Sequence, residues 1–143
     1  MNSTQTAVAA ISAADPVAEI RNISELEIGD VAQQGDVYLH RVPADWPRGD
    51  VLGTRQVAVG DSVGSRHVAE GDDVAVHAGV KLPDGVRPPT GFSTDDLLGP
   101  VIVCGPGGMV LTHPEHAHHR CDGEAVLQVT YQVDLSTDSR VAD

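Results

Sequence analysis

The stretch PVIVCGPGGMVLTHPEHAHHRCDGEAVLQVTYQVDL, residues 100–135, decides the fold. Pro100–Cys104 is apolar throughout, as a strand buried on both faces would be. Gly105-Pro106-Gly107-Gly108 reads as a hairpin turn into a second short strand, Met109–Thr112. The longest run, Glu124–Leu135, alternates. Val129, Tyr131 and Val133 fall on one side, and Thr130, Gln132 and Asp134 on the other. A period of two between turn residues is the pattern of a strand.

The same pattern extends towards the N-terminus. Asp36–Val42 places Val37, Leu39 and Arg41 on one side. Arg55–Val59 and Arg66–Ala69 are shorter runs, and Asp73–Leu82 carries Val74, Val76, Ala78 and Val80 on one face. Gly, Pro and Asp recur every eight to twelve residues. Seven or eight strands result, with a single weak helical candidate at Pro16–Ser24. The fold expected is all-β: one small antiparallel barrel or sandwich of jelly-roll or cupin-like type, closed or double-layered because open edges invite aggregation. Val74, Val76, Val101, Val103, Leu127 and Val129 are the expected core. Val42–Pro47 and Leu82–Gly91 read as surface loops, with Trp46 in the first as a plug over the barrel end. His77 and His40 are expected to point away from the core.

The chain has 143 residues, the size of one domain, and 41% of them are hydrophobic, enough for a core. Only 3% are aromatic, so that core is built from Val, Ala, Leu and Ile. Residues 1–15 read as a flexible arm, 16–135 as the β-domain and 136–143 as a polar tail. The formal charge is −12, from 21 Asp and Glu against 9 Lys and Arg, and Lys81 is the sole lysine. Such a surface repels phosphate backbones and anionic lipids, which argues against nucleic-acid and membrane partners. No apolar run approaches the ~20 residues of a membrane span. The N-terminal residues show no basic region followed by an apolar one, so no classical secretory signal is expected. Cys104 and Cys121 match no CxxC spacing and read as free thiols in a reducing compartment.

The densest chemical feature is THPEHAHHR, residues 112–120, which holds four of the seven histidines. Neutral imidazole is a common ligand for transition metals, and carboxylates often complete such sites. Pro114 breaks any strand there, and a turn can aim His113 and His116 at one point. His67 is the candidate third ligand, with Glu70 or Glu115 as a fourth ligand or as a base for metal-bound water. The alternatives are histidines held by structural hydrogen bonds or solvated, and a protonation-sensitive loop. No GxSxG element is present, and the GPGG turn joins two strands rather than opening a helix as a phosphate loop would.

From Gln34 onward the chain resembles a widespread family of small uncharacterised bacterial and phage proteins. The resemblance rests on Gln34-Gly35-Asp36-Val37 as an opening QGDV strand and on GDSVGSRHV, Gly60–Val68, in place of a GHAH-like segment. It continues through the His113–His116 HPEH turn, the closing strand at Tyr131–Leu135 and the Val141–Asp143 tail. Ser65 stands where the family has the first histidine of GHAH, which leaves His67. The family implies a cupin-like or jelly-roll barrel and no particular activity.

Two functions are expected from these observations. One is a non-catalytic barrel that acts through protein contacts, as an accessory or decorating subunit of a larger assembly such as a phage particle, without a cofactor. Its arm residues Met1, Asn2, Ser3, Thr4, Gln5, Thr6, Ala7 and Val8 would grip a partner or another copy. The alternative is a cupin-like metal-dependent enzyme or small-ligand binder, with a divalent transition metal held by His67, His113 and His116. The location expected is the cytoplasm or a phage particle.

Overall fold

The computed structural model of the chain describes residues 19–59, 66–86, 98–131, 133–134 and 139–140. These residues form strands and connections, with no helix among them. The first sheet contains β1 (Ile20–Asn22), β4 (Gln56–Val59), β5 (Arg66–Glu70), β8 (Met109–Thr112) and β9 (His118–Cys121), in the order β1-β9-β8-β5-β4. The second contains β2 (Val31–Gln34), β3 (Val37–Val42), β6 (Val74–His77), β7 (Leu98–Cys104) and β10 (Ala125–Tyr131), in the order β2-β3-β10-β7-β6. A further pair joins β11 (Val133–Asp134) to β12 (Ser139–Arg140). All pairings are antiparallel except β1 with β9. Neither sheet closes on itself, so the all-β architecture is a sandwich of two five-stranded sheets rather than a barrel.

The main core lies between the sheets. Val37, Leu39, Leu127, Val129, Ile102, Val74 and Val76 face inward from the second sheet, against Val57, Ala69, Met109 and Leu111 of the first. Each set follows the two-residue period that lets a strand bury one face. At ~25 cal/mol per Å² of apolar surface, a buried Leu or Ile contributes roughly 1.5–3 kcal/mol, so this aliphatic layer is the main source of stability.

β7 and β10 are also covered on their outer face. Val42, Val101 and Val126 cluster there beneath Trp46 and Val103. The indole Nε1–H of Trp46 donates to Gln128 Oε1 at 2.8 Å. Trp46 therefore caps the outer face of the second sheet and not the end of a barrel. The apolar run Pro100–Cys104 fits this two-sided burial, as in central strands generally. Val103 departs from the expected core: parity sets it outward, and it is only partly buried.

Several sequence expectations are corrected. Ile20–Asn22, inside the helical candidate, is β1: it pairs with β9 from Ile20 opposite His118 to Asn22 opposite Arg120. Three residues have little intrinsic preference, and tertiary pairing decides. Gly105–Gly108 is a turn, with Gly108 N–H donating to Gly105 O, but it carries the chain from β7 to β8 in the other sheet and is not a hairpin. The run Asp73–Leu82 is strand only as far as His77, and Val80 is exposed. Ser139–Arg140, in the expected polar tail, pairs with β11. The arm residues Met1–Val8 lie outside the described residues.

Candidate functional site

The two motifs that carried the resemblance meet between the sheets. Gln34 ends β2, and the two-residue turn Gly35-Asp36 leads into β3, with Gln34 opposite Val37. Gly35 has φ 58°, a conformation that glycine adopts without steric cost. QGDV is thus a hairpin turn rather than an opening strand. It delivers two polar side chains, Gln34 and Asp36, to the inner edge of the second sheet. Opposite them stand His67 of β5, and His113 and His116 of the turn after β8. Gln34, Asp36, His67 and His113 are all at most 2% exposed.

Gln34 ties the two sheets together. Its Nε2 donates to Leu111 O at 2.9 Å and to Ala117 O at 2.8 Å. Two carbonyl acceptors fix the amide orientation, so Oε1 faces His67 Nδ1 at 2.8 Å and accepts its hydrogen. The other ring nitrogen, Nε2, lies 3.1 Å from Asp36 Oδ1. His113 Nδ1 accepts backbone N–H bonds from Glu115 at 2.9 Å and His116 at 3.2 Å. Its own hydrogen therefore sits on Nε2. Ring centroids are 4.4 Å apart for His67 and His113, 4.4 Å for His113 and His116, and 6.5 Å for His67 and His116.

Opposing influences act on His67. Burial, and then the facing His113 ring, lower its pKa to about 4, with a smaller push from His116, while the charge and hydrogen bond of Asp36 raise it. With Nδ1–H committed to Gln34, the contact of Nε2 with Asp36 is a hydrogen bond only while the pair holds one further proton. The geometry thus favours that proton more than burial alone would allow. His119, on β9, is buried and also lowered, chiefly by burial, with its Nδ1 3.1 Å from Ala117 O.

The three histidines expected as a metal set are therefore neighbours, and protein groups hold His67 and the Nδ1 of His113. His67 Nδ1 is bonded to Gln34 Oε1 and its Nε2 faces Asp36 Oδ1, while the lone pair of His113 Nδ1 points at two backbone N–H groups. Among the described residues no three His, Cys, Asp or Glu side chains form a group that could hold a metal ion. A metal here would have to displace Asp36 or Gln34 from His67 and take His113 through Nε2. The two carboxylates do not join the cluster. Glu70 is exposed at the far end of β5, opposite Val110, and an odd spacing from His67 puts it on the other face. Glu115 is exposed and contributes its backbone N–H only.

His118 and His119 are strand residues of β9, which lies between β8 and β10 in the chain. His40 and His77 turn away from the main core, as their parity predicts. His40 is nevertheless buried on the outer face, with Nε2 2.7 Å from Thr130 Oγ1, and burial lowers its pKa to about 4. His77 Nδ1 lies 2.9 Å from Gly49 O. Gln34 and Asp36 are the residues that sequence reasoning missed as site members, although both stood in the quoted QGDV motif.

No family model, no curated protein and no solved structure matches the chain.

Proposed function

We propose that this protein is a non-catalytic β-sandwich that acts through protein contacts, as an accessory or decorating subunit of a larger assembly such as a phage particle. The observation that carries the reading is the placement of its exposed large apolar side chains. Ile28, 64% exposed, precedes the edge strand β2, which bears exposed Val31. Val51, 61% exposed, and Leu52 lie along the other edge of the same sheet, where Val51 bridges to His77 and Leu52 N–H donates to Val76 O. Val80 is exposed just beyond β6. Edge strands are where chains add to one another, and single proteins usually blunt them with charge. The histidine cluster supports the same reading, because His67 Nδ1 is bonded to Gln34 and His113 Nδ1 to two backbone N–H groups. In this proposal the N-terminal residues Met1–Val8 add a second hold on the partner.

The experiment is light scattering and chemical cross-linking of the full chain, alone and in lysate of its host. Val51→Lys and Ile28→Glu variants are run in parallel. Loss of the complexes in the variants, with the fold intact, supports the proposal. A monomer that makes no complex under any condition contradicts it.

The ring distances of 4.4–6.5 Å favour a second reading, a cupin-like metal site on His67, His113 and His116. A stoichiometric Zn²⁺ or Ni²⁺ site of micromolar affinity or better, lost in His67→Ala, would establish it in place of the first.

A further inference from the structure

We propose that Cys104 and Cys121 are a peroxide-responsive dithiol that closes to an intramolecular disulfide joining the two sheets. Their spacing in the sequence resembles no redox motif, and the pair exists only in the fold. Cys104 is the last residue of β7 in the second sheet, and Cys121 the last of β9 in the first. The four-residue turn Gly105–Gly108 carries the chain from Cys104 to Met109, and Met109 is the register partner of Cys121. Gly108, at φ 72°, makes this corner tight. A Cβ there would collide with the carbonyl oxygen of Cys121, so the turn backbone lies directly against β9. Both thiols are free, buried and members of one core cluster, near enough for each to be the largest influence on the other's proton.

The environment divides the roles. The hydrogen bond from Cys104 lowers the Cys121 thiol to about 6, against the effect of burial, and Arg41 adds to the lowering. The same bond and burial push the Cys104 thiol well up. Cys121, whose Sγ–H donates to Gly123 O at 3.6 Å, is thus the thiol of the pair that ionises more readily, and Cys104 the one that keeps its proton longer. An open groove of about 520 Å³ is lined by Cys104 beside Arg41, Arg48, Val103 and Glu124, so small molecules approach the pair from the Cys104 side.

The chemistry balances with hydrogen peroxide as oxidant. The Cys121 thiolate attacks one peroxide oxygen and breaks the O–O bond, giving a sulfenic acid and hydroxide. Cys104 then attacks the Cys121 sulfur as its proton leaves, forming S–S and expelling the sulfenic oxygen as hydroxide. The Cys104 proton and the proton that Cys121 gave up on ionising combine with the two hydroxides to make two waters. Two electrons pass from the thiols to the peroxide.

The test is intact mass and a non-reducing peptide map of the full, pre-reduced chain after peroxide treatment at neutral pH, with remaining thiols alkylated. The expected result is a monomer that has lost two hydrogen masses, with one cross-linked peptide spanning Cys104 and Cys121. In Cys104→Ser, a sulfenic acid should be trapped on Cys121 by dimedone. Three results would overturn the proposal: both thiols alkylated after long exposure, sulfinic acid on Cys121 with Cys104 still alkylatable, or a disulfide only between two chains. The wild-type map decides even if the variant fails to fold.

Discussion

Replacing Gln34 by Met removes a side chain of the second sheet that bonds to β5, β8 and the turn after β8. Met keeps the length and most of the volume, so the change is mainly polar. Three hydrogen bonds disappear: to Leu111 O, to Ala117 O and from His67 Nδ1. None of these partners gains water in exchange at a position only 1% exposed. Each lost bond is worth about 1 kcal/mol, and leaving a buried group unsatisfied costs about 1–3 kcal/mol. Relaxation of the 113–117 turn recovers part of this, so the expected loss is roughly 3 kcal/mol. Urea unfolding followed by circular dichroism measures it. With m of about 1–3 kcal/mol per molar, the midpoint should fall by ~1–3 M. Gln34→Glu should cost at least as much, because it sets a carboxylate against two carbonyl oxygens. A Gln34→Met midpoint within ~0.2 M of wild type would refute the claim that this amide locks the sheets.

Other outcomes follow from the same structure. Ile102→Asp places a carboxylate in the inter-sheet core and should abolish folding, since an unpaired buried charge costs several kcal/mol. Val103→Asp, on the partly buried outer side, should stay folded at a loss of roughly 1–2 kcal/mol, and equal effects in circular dichroism would disprove the strand parity of β7. His40, held at about 4 in the fold against 6.5 unfolded, stabilises the protein above pH 6.5, and this is lost as pH falls through 4. His119 acts in the same sense, whereas Asp36 offsets the part due to His67. Unfolding free energy should therefore decline from pH 6.5 to 4 in wild type and more gently in His40→Gln; parallel declines would argue against burial as the cause. Deleting residues 1–15 should leave thermal stability nearly unchanged and weaken assembly, as differential scanning calorimetry and light scattering would show. Unfolding of the truncated chain would contradict the arm role.

The strand signal was legible wherever alternation ran for several residues. β3, β4, β5, β7 and β8 stand where Asp36–Val42, Arg55–Val59, Arg66–Ala69, Pro100–Cys104 and Met109–Thr112 predicted them, whereas the run Glu124–Leu135 divides into β10 and β11, which pair in different sheets. β1 and β9 were not legible, because IRN and HHRC gain strand geometry only from each other and from β8. Sheet membership was also hidden. GPGG looks the same whether it turns back along one sheet or crosses to the other.

For the site, the turn at Pro114 and the choice of His67 predicted which rings would converge. Glu70 was excluded by information already in the sequence: a residue three along a strand from His67 must face the other way. Gln34 and Asp36 lay in the most specific motif but had no assigned chemistry. Only the tertiary structure shows that a hairpin turn in one sheet supplies the hydrogen-bond partners of a histidine in the other. The paired cysteines were likewise invisible, since their proximity depends on a corner between sheets.

The central claim is that His67, His113 and their neighbours form a hydrogen-bonded network in which both Nδ1 atoms are committed within the protein. It is tested most directly by ¹⁵N NMR of the imidazole nitrogens, without and with equimolar Zn²⁺. The network predicts a hydrogen on His67 Nδ1 and on His113 Nε2, an unprotonated His113 Nδ1, and no change in these three signals on adding Zn²⁺. Loss of the His67 and His113 hydrogens, with metal-induced shifts on His67, His113 and His116 together, would contradict it and show a ligand set instead.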